Sequence, residues 1–303
     1  MSVGERCGVL GVGALGAVVA ARLAAEGFPV VAHDLDRERV AALADAGVGA
    51  AGSARDLAQR SDVVLVVLPD TPDIEAALRG ETGLEAGLRD GAALLLVSTV
   101  KPATSQELAE RLAPRGVDVL DTPVSGGPVA ARAGGLAIMV GGPEAAYARC
   151  LPVLEALGRP VRVGPIGHGE IAKLANNLMG SVIALGIAEG LALAAKAGAD
   201  LDKVREAISG ASGESWILSH WMPRTVLAGR IDADFAVRLM VKDMGVLQDY
   251  AGELGVPLRA GELARETFTE LGAAGHGGHD FSVLVALALA EAGAPFPIDL
   301  EPQ

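Results

Sequence analysis

Residues 1–165 alternate short, unbroken runs of Val, Leu and Ile with segments whose apolar positions recur at helical spacing. Unbroken apolar runs are what strands covered on both faces require, so the alternation predicts a parallel sheet with crossover helices. Strands are expected at 7–10, 30–32, 63–68, 94–97, 117–120 and 136–140. After Gly167-His168-Gly169 the strand-like runs stop and helical periods take over. Helices are expected over 170–198, 202–208, 235–254, 258–271 and 282–292, followed by a tail over 295–303. The first of these would run on the order of 40 Å at 1.5 Å per residue. Its stretch 180–199 is apolar enough to suggest a bilayer span, but it carries Glu189, Lys196 and four glycines, so a buried helix is the expectation. The pattern as a whole predicts an α/β parallel-sheet domain over 1–166 and an all-α domain over 167–303, joined by a long helix.

Composition narrows the chemistry. Half of the 303 residues are apolar and only 3% are aromatic, so the core has to be built from small aliphatic side chains. The formal net charge of −13 argues against a nucleic-acid partner or an anionic membrane surface, which both attract basic patches. An anionic substrate would then depend on a few local cations and backbone dipoles. Cys7 and Cys150 have no metal-type spacing and are expected as reduced thiols, while the five scattered histidines support no metal site.

Gly11-Val12-Gly13-Ala14-Leu15-Gly16 follows one expected strand and opens a helix, and Asp34 ends the next strand. In that context the three glycines have separate tasks: a tight turn at Gly11, close backbone approach to a pyrophosphate at Gly13, and close helix packing at Gly16. The phosphates would lie on the helix N-terminus. The spacing therefore marks a Rossmann-type dinucleotide site. It also argues against reading the apolar first 25 residues as a secretory signal, and a cytoplasmic protein is expected. A carboxylate at Asp34 can accept from ribose hydroxyls and would repel a 2′-phosphate by a few kcal/mol, about the Coulomb energy at an effective dielectric near 20. NAD is the expected cofactor, with NADP admitted by Arg37, three residues on.

Two further segments carry candidate chemistry. Lys173 and Asn177 stand at i and i+4 in Gly169-Glu170-Ile171-Ala172-Lys173-Leu174-Ala175-Asn176-Asn177, so on a helix they share a face about 6 Å apart. A lysine in such an apolar helix is costly to bury, and burial would bring its amine towards the range useful for proton transfer; the alternative is a lysine snorkelling to solvent. In Asp121-Thr122-Pro123-Val124-Ser125-Gly126-Gly127, the Ser125-Gly126-Gly127 turn suits either an anion-binding nest for a carboxylate or a plain helix start with Ser125 as N-cap.

These motifs, taken in order, resemble the β-hydroxyacid dehydrogenase family, whose relatives include 3-hydroxyisobutyrate dehydrogenase, tartronate semialdehyde reductase and 6-phosphogluconate dehydrogenase-like proteins. The resemblance covers nearly the whole chain: the glycine loop, the D-x-P-V-S-G-G loop at Asp121 to Gly127, the G-x-x-x-K-x-x-N-N helix at Gly169 to Asn177, and a late K-D pair at Lys242-Asp243. It implies Lys173 as catalytic acid/base with Asn177 as its hydrogen-bonding companion, and Ser125, Gly126 and Gly127 holding the substrate carboxylate. It implies Leu68, Pro69 and Thr99 lining the cofactor cleft, Lys242 near nicotinamide and substrate, and a homodimer or homotetramer joined through the helices. The implied reaction interconverts a short 3-hydroxy acid and its semialdehyde or keto acid. The chain departs from the family at Leu15, where methionine is usual, at Ala130 and Gly135 beside the substrate loop, and at His279, where an acidic residue is common. Arg132 is a further candidate for a second acidic group. Two rival readings stand beside this one: an imine-reductase-like enzyme, which Lys173 weighs against, and a non-catalytic dinucleotide sensor or adaptor, which would have no use for Lys173, Asn177 and the Ser-Gly-Gly turn together.

Overall fold

The computed structural model describes residues 4–294, and the expected tail over 295–303 lies outside them. The chain divides into two compact units, Met1–Lys173 and Leu174–Gln303, with the division inside the long helix His168–Lys196.

The first unit is built on a nine-stranded sheet: β1 Cys7–Leu10, β2 Val30–His33, β3 Gly49–Ala50, β4 Val63–Val66, β5 Ala93–Leu96, β6 Asp118–Asp121, β7 Val124–Ser125, β8 Leu136–Gly141 and β9 Gly158–Gly164. The strands lie in the order β3-β2-β1-β4-β5-β6-β8-β7, with β9 also on β8. The first six run parallel. β1, β4 and β5 are buried along their whole length, which is why they read as continuous apolar runs. One apolar cluster gathers Val9, Val19, Leu65, Leu95 and Leu120, and a second gathers Leu57, Val64, Ile74, Leu94 and Leu108, consistent with a sheet covered on both faces.

The structure corrects the sequence reading at the far edge. The strand expected at 136–140 forms, but it runs antiparallel to β6, so the sheet is mixed. β3, β7 and β9 had no signal. β3 and β7 have two residues each, and β9 alternates half-buried positions with exposed Arg159, Val161 and Val163, so it offers no continuous apolar run.

Register aligns the strand exits. Leu10 pairs with both His33 and Val66, Val66 with Leu96, and Leu96 with Asp121, so the chain leaves five of these strands in one row. Gly11, Asp34, Val67, Val97 and Thr122 follow directly, along the carboxyl edge where open parallel sheets bind ligands.

Asp121, at the end of β6 and fully buried, turns that edge into the start of the long helix. Its Oδ1 accepts from the Gly167 backbone N–H at 2.8 Å and its Oδ2 from that of Glu170 at 2.8 Å. These are donors that a helix start leaves without intrahelical partners, and the carboxylate also meets the positive end of the helix dipole. Gly169 has to be glycine here, because a Cβ would stand 2.7 Å from Asp121 Oδ2. Burial pushes the Asp121 carboxyl above the usual carboxylate range, while backbone N–H groups, those of Gly167 and Glu170 first, pull it the other way.

The second unit is helical. Beyond the long helix come Leu201–Ile208, Val237–Leu254, Arg259–Leu271 and Val283–Glu291, within a residue or two of expectation. The segment 217–228 also coils into short irregular helical turns that no periodicity announced. Its core gathers four aromatics: Trp221 packs on Phe281 at 5.2 Å, and Phe281 on Phe235 and Phe268. A second buried carboxylate organises this unit. Asp280 accepts from Trp221 Nε1 at 2.9 Å and from the backbone N–H groups of Asp234 and Phe235, which fixes the approach to helix Val237–Leu254. His279 is also buried, and its Nδ1 lies 3.1 Å from that of His276. Burial and then the neighbouring His276 lower its pKa, against the opposing charge of Asp232. The long helix buries one face, through Leu174, Ala184, Ala188 and Leu191, and leaves Met179, Ile183 and Leu193 exposed on the other.

Replacing Asp121 with alanine leaves two buried N–H groups without an acceptor, at about 1–3 kcal/mol each. Urea unfolding of D121A is expected to show a loss of about 2–6 kcal/mol of stability. An unchanged midpoint and slope would show that the cap is dispensable.

Candidate active site

The glycine loop leaves β1 through Gly11 at φ +90°, where a Cβ would collide with the Val67 carbonyl and stand 2.8 Å from Leu68 Cδ2. At Gly16 a Cβ would fall on the Gly11 carbonyl, so the helix Ala14–Ala25 can lie this close to the strand only without a side chain there. Gly13 is different. A Cβ there would meet one atom within 4 Å, Arg39 Nη1 at 4.0 Å, so the space over this residue is open. Close-packed glycines on two sides of an open one are what a pyrophosphate cradle requires. Val12, Ala14 and Leu15 complete the turn into the helix.

Asp34 braces this loop. Its Oδ2 accepts from the Val12 N–H at 2.8 Å and its Oδ1 from the Asp36 N–H at 2.9 Å. Each oxygen keeps a second lone pair, so the carboxylate holds the loop and still has acceptor capacity for ribose hydroxyls. Leu68 and Pro69 follow β4 on the same edge, with the Leu68 N–H on Ser98 Oγ at 2.9 Å, and half-buried Thr99 follows β5. Arg37 is exposed and makes no described contact with the loop.

Ser125 ends β7 and is half-buried. The helix after it, Gly127–Arg132, has Gly126 as its N-cap and no side-chain cap bond, so Ser125 is not a capping residue. Gly126 and Gly127 take φ of +122° and +68°, conformations open to glycine and strained for other residues. Arg132 is exposed at the end of that helix.

Lys173 sits one turn beyond the Asp121 cap and is only 6% exposed, so the snorkelling alternative fails. The same helix turn is tied to the exit of β5, because Glu170 Oε2 accepts from the Val100 N–H at 3.2 Å. Residues 170 and 173 share a helix face, so this contact turns the Lys173 side of the helix towards the Thr99 segment.

In the second unit Asn177 is 5% exposed, and its amide is fixed from both ends. Its Nδ2 donates to Asp243 Oδ2 at 2.6 Å, and its Oδ1 accepts from Asn176 Nδ2 at 3.1 Å. Asp243, 2% exposed, also pairs through Oδ1 with Lys242 Nζ at 2.9 Å. One carboxylate therefore joins Asn177 to Lys242. Sequence reasoning quoted Asp121 and Asp243 inside motifs and gave neither a role. For Asp243 a signal was present: it occupies the face of buried Met240, Met244 and Leu247, where an acid needs partners.

Comparison with known proteins agrees with this geometry. A model of the NAD-binding domain of 6-phosphogluconate dehydrogenase matches residues 6–167, and one for the NAD-binding region of NADP-dependent 3-hydroxyisobutyrate dehydrogenase matches residues 167–288. An L-threonate dehydrogenase of Cupriavidus necator is 36% identical over 92% of this chain and 95% of that protein. A 3-hydroxyisobutyrate dehydrogenase of Pseudomonas aeruginosa is 36% identical over 92% and 96%. The solved structure of Mycobacterium tuberculosis 3-hydroxyisobutyrate dehydrogenase with L-serine superposes with a TM-score of 0.84 at 29% identity, covering 94% of this chain and 99% of that one. Loop, edge and matches together define an oxidoreductase dependent on a nicotinamide dinucleotide. The chain belongs to the β-hydroxyacid dehydrogenase family.

Asp243→Asn keeps the shape of the side chain and removes the charge that orients Asn177 and Lys242. Steady-state kinetics are expected to show kcat lowered roughly tenfold or more, the scale of misplaced catalytic groups, with a smaller change in KM. An unchanged kcat would reduce Asp243 to a packing residue.

Proposed function

We propose that the chain oxidises a short 3-hydroxy acid at its hydroxyl-bearing carbon, and reduces the corresponding semialdehyde or keto acid in reverse, with Lys173 as the proton carrier. The burial of Lys173 one turn past the Asp121 cap carries this reading, because an amine kept from solvent in a hydroxyacid dehydrogenase has proton transfer as its use. NAD supplies hydride-accepting chemistry when bound. Gly11, Val12, Gly13, Ala14, Leu15 and Gly16 would hold its pyrophosphate and Asp34 its ribose, with Leu68, Pro69 and Thr99 along the same edge.

Ser125 and the left-handed Gly126-Gly127 turn hold the substrate carboxylate through hydroxyl and backbone N–H donors. Lys173 takes the hydroxyl proton as hydride leaves the adjacent carbon, and returns it in the reverse direction. In the helical unit Asn177, with its amide fixed on Asp243, and Lys242, with its charge balanced by the same carboxylate, would be the hydrogen-bonding and charged companions of the reaction. Residues 1–166 serve the dinucleotide and 167–303 the substrate and the oligomer. Lys173→Ala is expected to lower kcat by about 10²-fold or more in an assay of NAD reduction with 3-hydroxyisobutyrate, threonate, glycerate, 3-hydroxypropionate and serine. Near-normal turnover by that variant refutes the role.

We further infer a cytoplasmic homodimer or homotetramer joined through the helical unit. Met179 is 59% exposed, Leu193 74% and Leu263 55%, the first two on one face of the long helix. Apolar surface of this extent on a soluble enzyme calls for a second copy. Light scattering on protein from the cytosolic fraction is expected to give two or four times the chain mass of 30.6 kDa. A monomer, or recovery in the membrane fraction, contradicts the inference.

A further inference from the structure

The helix turn that carries Lys173 is lined by two fully buried carboxylates, Glu170 and Asp121. In a helix a long side chain leans back over the turn N-terminal to it, onto the residues at i−3 and i−4. For Lys173 these are Glu170 and Gly169. Gly169 has no side chain, and Asp121 fills the space a Cβ would need there, with Oδ2 2.7 Å from that position. The side of the helix along which Lys173 leans is therefore made of Glu170 and Asp121.

The two acids are held differently. Asp121 meets the backbone N–H groups of Gly167 and Glu170 at 2.8 Å each and serves as the helix cap. Glu170 accepts through Oε2 from the Val100 N–H at 3.2 Å, which pins its carboxylate between the exit of β5 and the helix. Burial favours the neutral form of a lysine, whereas an adjacent carboxylate favours the ammonium, and more strongly away from water than at a surface. Within the first unit the other charged or titratable groups around this turn are Lys101, next after Val100, whose charge opposes that of Glu170, and His168, whose ring lies against Gly164 at the end of β9.

We propose that Glu170 is a positioning residue that sets the protonation of Lys173: its carboxylate keeps the amine charged up to a higher pH than burial alone would allow, and so fixes the pH at which oxidation of the hydroxy acid begins. The inference rests on Lys173 as the proton carrier and adds the group that governs when it can take a proton. In the oxidative direction the amine has to be neutral, so the acid limb of kcat/KM reports loss of the ammonium proton. Glutamine at 170 keeps an oxygen for the Val100 N–H and removes the charge, which separates the electrostatic role from the structural one.

The test is the pH dependence of kcat/KM for NAD reduction, from about pH 5 to about pH 10, in the wild type, Glu170→Gln, Glu170→Ala and Lys173→Ala. The substrate is the acid of the panel above, serine excepted, that turns over fastest, and circular dichroism checks each fold. Glu170→Gln is expected to move the acid limb down by about one pH unit, the scale of one partly screened charge, with the alkaline plateau changed by less than about threefold. Glu170→Ala is expected to show the same shift with a plateau lowered roughly tenfold, because the tie to Val100 is lost as well; alanine suits a helix, so this variant carries the limb test independently of the first. A limb that neither variant moves, activity lost equally at every pH, or a wild-type profile with no limb in that range overturns this assignment alone while Lys173→Ala remains inactive. A wild type that oxidises none of the panel, or near-normal turnover by Lys173→Ala, overturns the parent reading with it.

Discussion

The Asp121 carboxylate is the constraint on which the rest depends. It is buried at the end of β6, and burial alone raises the cost of its charge. That cost is met where the backbone has matching needs, at the N–H groups of Gly167 and Glu170, which the start of a helix leaves unpaired. A side chain defined by the sheet thus fixes the first turn of a 29-residue helix. Glu170 on the Val100 N–H sets the rotation of that turn, and Lys173 follows three residues later. The sheet edge and the lysine are held in register by hydrogen bonds, so neither needs a loop to find the other.

The same device recurs in the helical unit. Asp280 gathers Trp221 Nε1 and the backbone of Asp234 and Phe235, and this sets the entry of the helix that carries Lys242 and Asp243. Asp243 in turn fixes the amide of Asn177. Three buried aspartates therefore place the groups proposed to act on substrate. A chain poor in aromatics, with cores of small aliphatic side chains, gains through these fixed acceptors a rigidity that shape complementarity alone supplies less well.

Much of this was legible along the chain, and the parts that were not have physical reasons. The continuous apolar runs of β1, β4 and β5 announce a doubly covered sheet, and the glycine spacing announces what its edge holds. The direction of β8 does not follow from its own residues, because a buried antiparallel strand has the same apolar run as a parallel one. β9 alternates around Arg159, Pro160 and Arg162 and looks like loop. Lys173 and Asn177 could be placed on a helix face by spacing alone, whereas their supports could not: Asp121 reaches 46 and 49 positions ahead, and Asp243 reaches back 66.

The decisive question is whether the Asp121 cap governs the lysine and not the fold alone. Asp121→Asn retains one acceptor, so the protein should still fold, while the helix start is held from one side. Turnover and dinucleotide binding measured on the same preparation separate the two effects. The account predicts kcat falling by about tenfold or more with the Kd for NADH nearly unchanged, because the glycine loop lies elsewhere on the edge. A folded D121N protein with wild-type kcat would contradict it.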